Sequence, residues 1–486
     1  MAQFDFIIIG GGSAGCVLAD KLSACGKYTV CLIEAGPKDS SPLIHLPVGV
    51  VELMKSRKLN WLYESQPESS QNGRQIFNPR GKTLGGSSSV NAMLYIRGQK
   101  EDYDHWASLG NDGWSYDDVL PYFKATQHQE RGEDKYHGIN GPLNVAESRS
   151  KLPVFDDFIQ ATVEAGYPEN NDFNGEYQEG VGYFQVTQKD GLRCSAAKAF
   201  LTPNLERQNL TVVTDALVEK VVIKNKKAVG VVFKLKGKSQ SYTANKEVLL
   251  SAGAFNSPQL LMLSGIGPKD ELAKHDIELV HELAGVGQNL QEHVDALVVN
   301  EYTKTDVIAY RPKALMWMAK DVFKFFKNRR GVLTTSVAEA GGFIKTDPSV
   351  KRPDLQIHFI PAAMDDHGRN MKMLCSYGVA IHACLLRPKS RGSVSLYGKA
   401  PHLTPKIQLN MLSDPEDQQL MIKAVRSVRN IFSQAPIANN LGREMIPGEK
   451  CQSDDDIIEF LKNKSNTIYH PVGTCKMGND DMAVVD

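Results

Sequence analysis

Near the N-terminus, Gly10, Gly12 and Gly15 have the spacing that phosphate recognition needs, fitting G-x-G-x-x-G. The first glycine allows a tight turn, the second lets a pyrophosphate approach the backbone, and the third lets a helix pack closely on a strand. Ser13 stands where that helix opens and belongs to the same phosphate-facing turn. Glu34 follows nineteen residues after Gly15. A carboxylate there accepts both hydroxyls of a ribose and repels a 2′-phosphate.

This chemistry presupposes a βαβ unit, and the flanking residues supply one. Apolar Phe4 to Ile9 reads as a buried strand, Ser13 to Ala24 as a helix of small residues, and Tyr28 to Ile33 as a second buried strand. The fingerprint does not itself separate FAD from NAD. Its place at the extreme N-terminus, with no catalytic domain ahead of it, favours FAD.

At 486 residues the chain exceeds one ordinary core. Its 56 basic residues balance 56 acidic ones, which argues against a nucleic-acid partner. Eight cysteines form no CxxC pair and no Cys/His cluster with zinc spacing, so no metal site is expected and the thiols read as reduced. With no charged n-region before Phe4 and no apolar run of membrane-spanning length, the expected location is cytoplasmic.

Further along, residues 36–110 are rich in Gly, Pro, Ser and Asn, and the dense run from Pro79 to Asn91 predicts an ordered loop. Alternation over 209–252 predicts antiparallel strands, strands dominate again from Leu355 to Leu409, and helices follow near 414–434 and 453–463. Residues 313–330 predict a helix with Leu315, Met318, Ala319, Val322, Phe325 and Phe326 on one face and Lys313, Lys320, Lys324 and Lys327 on the other. Such a helix suits contact with a membrane surface near a quinone pool, or packing on a domain with its lysines solvated.

Three motifs extend the reading. Gly81-Lys82-Thr83-Leu84-Gly85-Gly86-Ser87-Ser88-Ser89-Val90-Asn91, Gly253-Ala254-Phe255-Asn256-Ser257-Pro258 and Ile468-Tyr469-His470-Pro471-Val472-Gly473 resemble, in order, three signatures of the glucose–methanol–choline (GMC) oxidoreductase family. The resemblance runs the length of the chain. It implies an α/β plus α+β fold in which a Rossmann-like FAD-binding domain is interleaved with a substrate domain on an antiparallel sheet. Residues 1–305 are expected to be mainly the flavin domain and 306–455 mainly the substrate domain, with 456–486 returning to the flavin domain. Gly85, Gly86, Ser87 and Asn91 would face phosphate or flavin edges, the first three through free N–H groups and a hydroxyl. Val218 corresponds to the family position whose backbone meets adenine. Val90 stands where some members carry a histidine bonded to flavin, so the flavin is expected to be non-covalent.

His470 lies in the matched catalytic segment and is expected to be the base that takes the hydroxyl proton of an alcohol while hydride leaves for flavin N5. His293, in another matched pattern, is expected to support the flavin domain. The family places a second polar residue, Asn or His, opposite this base, in a segment later than Val484-Val485-Asp486. The whole run looks closest to the bacterial aliphatic (medium-chain) alcohol dehydrogenases of the family, with choline dehydrogenase the near rival and the flavin-containing hydroxynitrile lyases a third alternative. Glu339 matches a carboxylate position that choline-acting and aliphatic-alcohol relatives share. Val337 and Ala338 stand where choline-acting relatives carry aromatics, and Tyr469 alone makes a poor cage for a quaternary ammonium. The expected substrate is an uncharged primary alcohol, with a quinone or similar electron acceptor.

Overall fold

The computed structural model describes residues 2–486. The chain opens with β1 (Ala2–Ile9), α1 (Ser13–Ser23) and β2 (Val30–Ile33), close to the expected unit. The later strands of the two large sheets begin with β3 (Gly180–Tyr183), β4 (Leu210–Val213), β5 (Ala216–Lys224), β6 (Lys227–Leu235), β7 (Lys238–Leu250) and β8 (Val294–Tyr302). After them come β9 (Ala340–Ile344), β10 (Leu355–Ile360), β11 (Gly378–Leu385), β12 (Leu441–Ile446) and the short β13 (Asn466–Thr467). The helices that matter below are α2 (Gly253–Leu263), α3 (Pro312–Asn328), α4 (Pro415–Phe432) and α5 (Asp454–Lys464).

The first sheet has six strands in the order β4-β2-β1-β7-β6-β5. Parallel pairing of β1 with β2 and β7 sets Ile9 beside Ile33 and Leu250, so three strands end at one level around the glycine turn. The segment 209–252 is only partly antiparallel. β5, β6 and β7 form that meander, while β4 runs parallel to β2 and β7 parallel to β1. Alternation reports burial on one face, and pairing direction depends on partners distant in sequence.

The second sheet runs β12-β8-β11-β10-β9-β3, with β13 added beside the start of β8. It draws β3 and β8 from within residues 1–305, so the two units are interleaved. Period two divides the faces of its central strands. Leu355, Ile357 and Phe359 of β10 pack with Ile381 and Ala383 of β11 against Met421, Val425 and Val428 of α4. Gln356, His358 and Ile360 of β10 and His382 of β11 point to the opposite side, into a cavity.

The helix α3 differs from the expected packed face. It rests on the protein through Ala314, Asp321 and Phe325, while Leu315, Met316, Phe323 and Phe326 are exposed. The buried Asp321 accepts a hydrogen bond from Val332 N–H at 2.6 Å, which seats the helix on a polar contact and turns much of its apolar arc outward.

At Gly15, and at Gly86 above the turn, there is no room for a side chain. A Cβ on Gly15 would sit 1.9 Å from Gly10 O, and one on Gly86 would sit 2.8 Å from Gly12 Cα, both backbone atoms. Gly86 also has φ +53°. Gly86→Ala should destabilise the protein by about 1–3 kcal/mol from strain and clash together. Gly113→Ala, at φ +82° with nothing nearby, should cost only the conformational part. Chemical denaturation of both variants checks this, and equal midpoints would show that the close approach is not limiting.

Candidate active site

Two cavities meet at the end of the first sheet. The first, about 620 Å³, is lined by Gly10, Gly12, Ser13, Glu34, Gly86, Ser87, Val218 and the chain from Ser251 to Phe255. The second, about 560 Å³, lies against the open face of the second sheet and is lined by Asn91, His293, Tyr469 and His470 among others. Arg80 and Ser87 line both, so an elongated molecule entering along the first reaches the second.

The first cavity is built by backbone. Gly10 N–H donates to Ile33 O at 2.9 Å and Gly85 N–H to Gly11 O at 2.7 Å, drawing the serine run over the turn. A Cβ on Gly12 would meet nothing within 4 Å, so that glycine faces open space, as close approach of a phosphate requires. Gly15 and Gly85 lie behind the wall and pack the turn. Glu34 lines the cavity with one carboxylate oxygen accepting from Gly11 N–H and the other from Gly36 N–H, each at 2.7 Å. Burial pushes its carboxyl up to about 6. Each oxygen keeps a lone pair for a hydroxyl donor.

Sequence reasoning missed the guanidinium that holds the serine run. Buried Arg193 donates to Asn91 O at 2.7 Å, Asn91 Oδ1 at 2.8 Å and Ile44 O at 2.8 Å. Burial lowers its pKa to about 9. Arg193 belongs to no glycine motif, so no local signal pointed to it.

Five histidines line the second cavity: His293, His358, His367, His382 and His470. The last lies in a segment strapped to the chain before β8. Val472 N–H donates to Gln291 O at 3.0 Å and Gly287 N–H to Thr474 O at 2.9 Å. The ring of His470 opens into the cavity and meets His293 edge-on, with centroids 5.5 Å apart and planes at 84°. The ring is exposed to the open cavity, yet desolvation by the protein around that cavity, with His293, His358 and Arg80 nearby, pulls its pKa below 6.5. It therefore stands as a neutral imidazole able to accept a proton. His358 and His382 face each other across β10 and β11. His382 Nδ1 pairs with Asp295 Oδ2 at 2.6 Å, and burial opposed by that carboxylate leaves its pKa raised. The hydroxyl of Tyr469 is hydrogen-bonded to His367 Nδ1.

Glu339 is placed differently from the other candidates. It is fully buried behind the loop 335–338, where its carboxylate accepts from Thr335 Oγ1 and from Ser336 N–H, the latter at 2.9 Å. It lines neither cavity. Burial pushes its carboxyl up to about 7. The wall itself is formed by Ser336, Val337 and Ala338, with Val50, Met54, Met93, Phe343 and Ile360. Among the described residues, Asp102 is the one carboxylate on this wall, and it is paired with Arg352 at 2.8 Å.

A glycine turn opening on one cavity and a histidine facing the next is the arrangement the three motifs imply, and comparison with known proteins agrees. The sequence profile of the GMC oxidoreductase N-terminal region matches residues 4–295, and that of the C-terminal region residues 388–486. The chain belongs to the GMC oxidoreductases. Over all of its length it is 46% identical to 88% of the alcohol dehydrogenase [acceptor] of Pseudomonas putida. It is 42% identical to the oxygen-dependent choline dehydrogenase of Rhizobium meliloti (strain 1021), again covering 88% of that protein. Among solved structures, pyridoxine 4-oxidase from Mesorbium loti superposes with a TM-score of 0.89 at 29% identity, covering 99% of this chain and 90% of that one. Formate oxidase gives 0.88 at 26% identity, covering 98% and 89%. These named relatives are oxidoreductases, which does not favour the hydroxynitrile lyase alternative. As a GMC oxidoreductase the chain binds FAD, and the first cavity fits it, with Gly12 open, Ser13 and Ser87 facing inward and Glu34 buried on the wall.

The buried imidazoles have a consequence for stability. Burial lowers His293 to about 4, His358 to about 3 and His367 to about 4, against 6.5 when free. Such a group contributes its full stability above pH 6.5 and loses it as pH falls towards the folded value, because the unfolded chain binds the extra proton. Each contributes up to about 1.4 kcal/mol per pH unit in that window. Glu34, Glu292 and Glu339, all raised, act in the opposite sense. The diagnostic is therefore a difference: His358→Gln should flatten the fall in unfolding free energy between pH 6.5 and 4. An unchanged slope would mean that His358 is protonated in the native protein.

Proposed function

We propose that this GMC oxidoreductase oxidises an uncharged primary, aliphatic alcohol to the aldehyde, with His470 as the base. The observation that carries the substrate class is the wall of the second cavity. Its Val, Met, Phe and Ile side chains suit an alkyl chain, its one carboxylate is neutralised by Arg352, and Glu339 is withdrawn behind Ser336 to Ala338. A quaternary ammonium would find Phe343 and Tyr469 but no free anion there. The 46% identity to an alcohol dehydrogenase [acceptor] points the same way.

His470 accepts the hydroxyl proton, and Tyr469 lines the cavity beside it. FAD, when bound, supplies the hydride acceptor. The pyrophosphate falls to Gly10, Gly12 and Ser13, the ribose to Glu34, and the adenine to the strand at Val218. Ser87, Asn91 and the Gly85–Gly86 turn hold the ring side, and Val90 leaves no nucleophile for a covalent flavin link. Residues 1–305 and 456–486 serve mainly the flavin, and 306–455 mainly the substrate.

Anaerobic stopped flow with 1-octanol and choline tests this. Each CH₂ buried in an apolar pocket contributes up to about 0.8 kcal/mol, so kcat/KM should climb from ethanol to 1-octanol and exceed that for choline. His470→Ala should slow flavin reduction roughly 10²–10⁴-fold with flavin content kept. Because the protein around the cavity lowers the pKa of His470, wild-type kcat/KM should reach its plateau below pH 6.5. A preference for choline would move the substrate to the choline dehydrogenase alternative, and a fast His470→Ala variant would reassign the base.

The acceptor we propose is a quinone, reached from the cytoplasmic face of a membrane through α3. No helix of the described residues is long and apolar enough to cross a membrane. Phe323 and Phe326 of α3, 74% and 76% exposed, stand among Lys313, Lys320, Lys324 and Lys327, a pairing of apolar wedge and cations that suits an anionic interface. Phe323→Ser with Phe326→Ser should weaken co-sedimentation with phosphatidylglycerol vesicles without changing turnover on a soluble acceptor. Equal binding of variant and wild type would remove α3 from the contact.

A further inference from the structure

One peptide group beside the base is held from both ends. Tyr469 O accepts from Arg80 Nη1 at 2.7 Å, and His470 N–H donates to Glu292 Oε1 at 2.9 Å. These two atoms belong to the same Tyr469–His470 peptide. Glu292 Oε1 also accepts from His293 N–H at 2.9 Å, and Glu292 Oε2 faces Arg80 Nη2 at 3.9 Å. Arg80 in turn lies over the Phe255 ring, 5.3 Å from its centroid.

The peptide needs holding. Tyr469 has φ +72°, a left-handed conformation that a bulky residue occupies only under constraint. Tyr469 N–H donates to Thr467 Oγ1 at 2.8 Å, which closes the turn from the other side. Turning this peptide would swing the His470 Cα–Cβ bond and with it the ring.

We propose that Arg80 and Glu292 are positioning residues that clamp the Tyr469–His470 peptide, so that the His470 ring is presented to the substrate cavity. Glu292 does this by reach, through the oxygen that meets His470 N–H, while Arg80 fixes the adjoining carbonyl. The inference rests on His470 being the base. It assigns to this buried ion pair a task beyond joining segments distant in sequence.

The task separates from simple charge neutralisation by the length and charge of residue 292. Glu292→Gln keeps the reach and an accepting oxygen but loses the charge. Glu292→Asp keeps the charge but is one methylene too short for His470 N–H. Both are measured in the flavin-loaded protein beside Glu292→Ala and His470→Ala, by the limiting rate of anaerobic flavin reduction with 1-octanol. Misplacement of a reacting group by about 1 Å costs on the order of 10²-fold. Glu292→Ala and Glu292→Asp should fall by about that factor with apparent Kd for the alcohol within threefold of wild type, and Glu292→Gln should recover most of the rate. Recovery by Asp and not by Gln would overturn the clamp in favour of a structural ion pair, as would wild-type rates in all variants. If Glu292→Ala does not fold, the Gln and Asp contrast decides alone. A slow His470→Ala beside a fast Glu292→Asp would defeat only this inference, whereas a fast His470→Ala would defeat the assignment of the base.

Discussion

Backbone must lie directly on backbone at the C-terminal end of the first sheet, and the site depends on that contact. Three segments far apart in sequence, 10–15, 81–86 and 251–252, approach within distances that exclude a side chain. A Cβ on Gly10 would lie 2.6 Å from Ser251 O, and one on Gly81 would lie 2.1 Å from Gly86 O. The close approach leaves N–H groups directed into a cavity at the start of α1, where the helix dipole favours an anion. Without it the serine run would not cover the turn, and the first cavity would not lead to the second.

The second cavity follows from strand register. His358 and His382 are neighbours because β10 and β11 are antiparallel with those residues directly opposite. The same period of two that turns them to the cavity turns Ile357, Phe359 and Ile381 to α4. A slip of one residue would exchange the faces, burying the imidazoles in the core and lining the cavity with apolar groups. The segment that carries His470 enters at the edge where Thr467 of β13 pairs with Val294 of β8, so the start of β8 lies close to His470.

Burial decides the electrostatics of this cavity. A medium that disfavours charge keeps imidazoles neutral and pushes carboxyls up. Glu292 and Glu339 are tolerated because backbone N–H groups meet one oxygen of each, and Asp295 because it pairs with His382. The wall that remains joins Val50, Met54, Met93, Val337, Phe343 and Ile360 with the arginines Arg80, Arg97 and Arg387, and His293, His358 and His367 are set into it as neutral bases.

Much of this was legible in the residues. Gly10, Gly12, Gly15 and Glu34 specify a dinucleotide turn because glycine spacing and a terminal carboxylate are local requirements, met within one βαβ unit. The serine run and the segment around His470 were legible by resemblance, since each is a continuous string. Other features were not. Whether β4 and β7 run parallel or antiparallel to their partners depends on strands up to 240 residues away, as Ala2 beside Tyr242 illustrates. The face of α3 left exposed was set by the buried Asp321, which a pattern of apolar residues cannot anticipate. Glu339 and Arg193 have the residue types of a substrate carboxylate and a surface cation, yet folding encloses both. Sequence determines which residues have the chemistry, because that is a property of the side chain and its near neighbours. Which of them face the cavity is decided by packing between distant segments, and desolvation then sets their protonation.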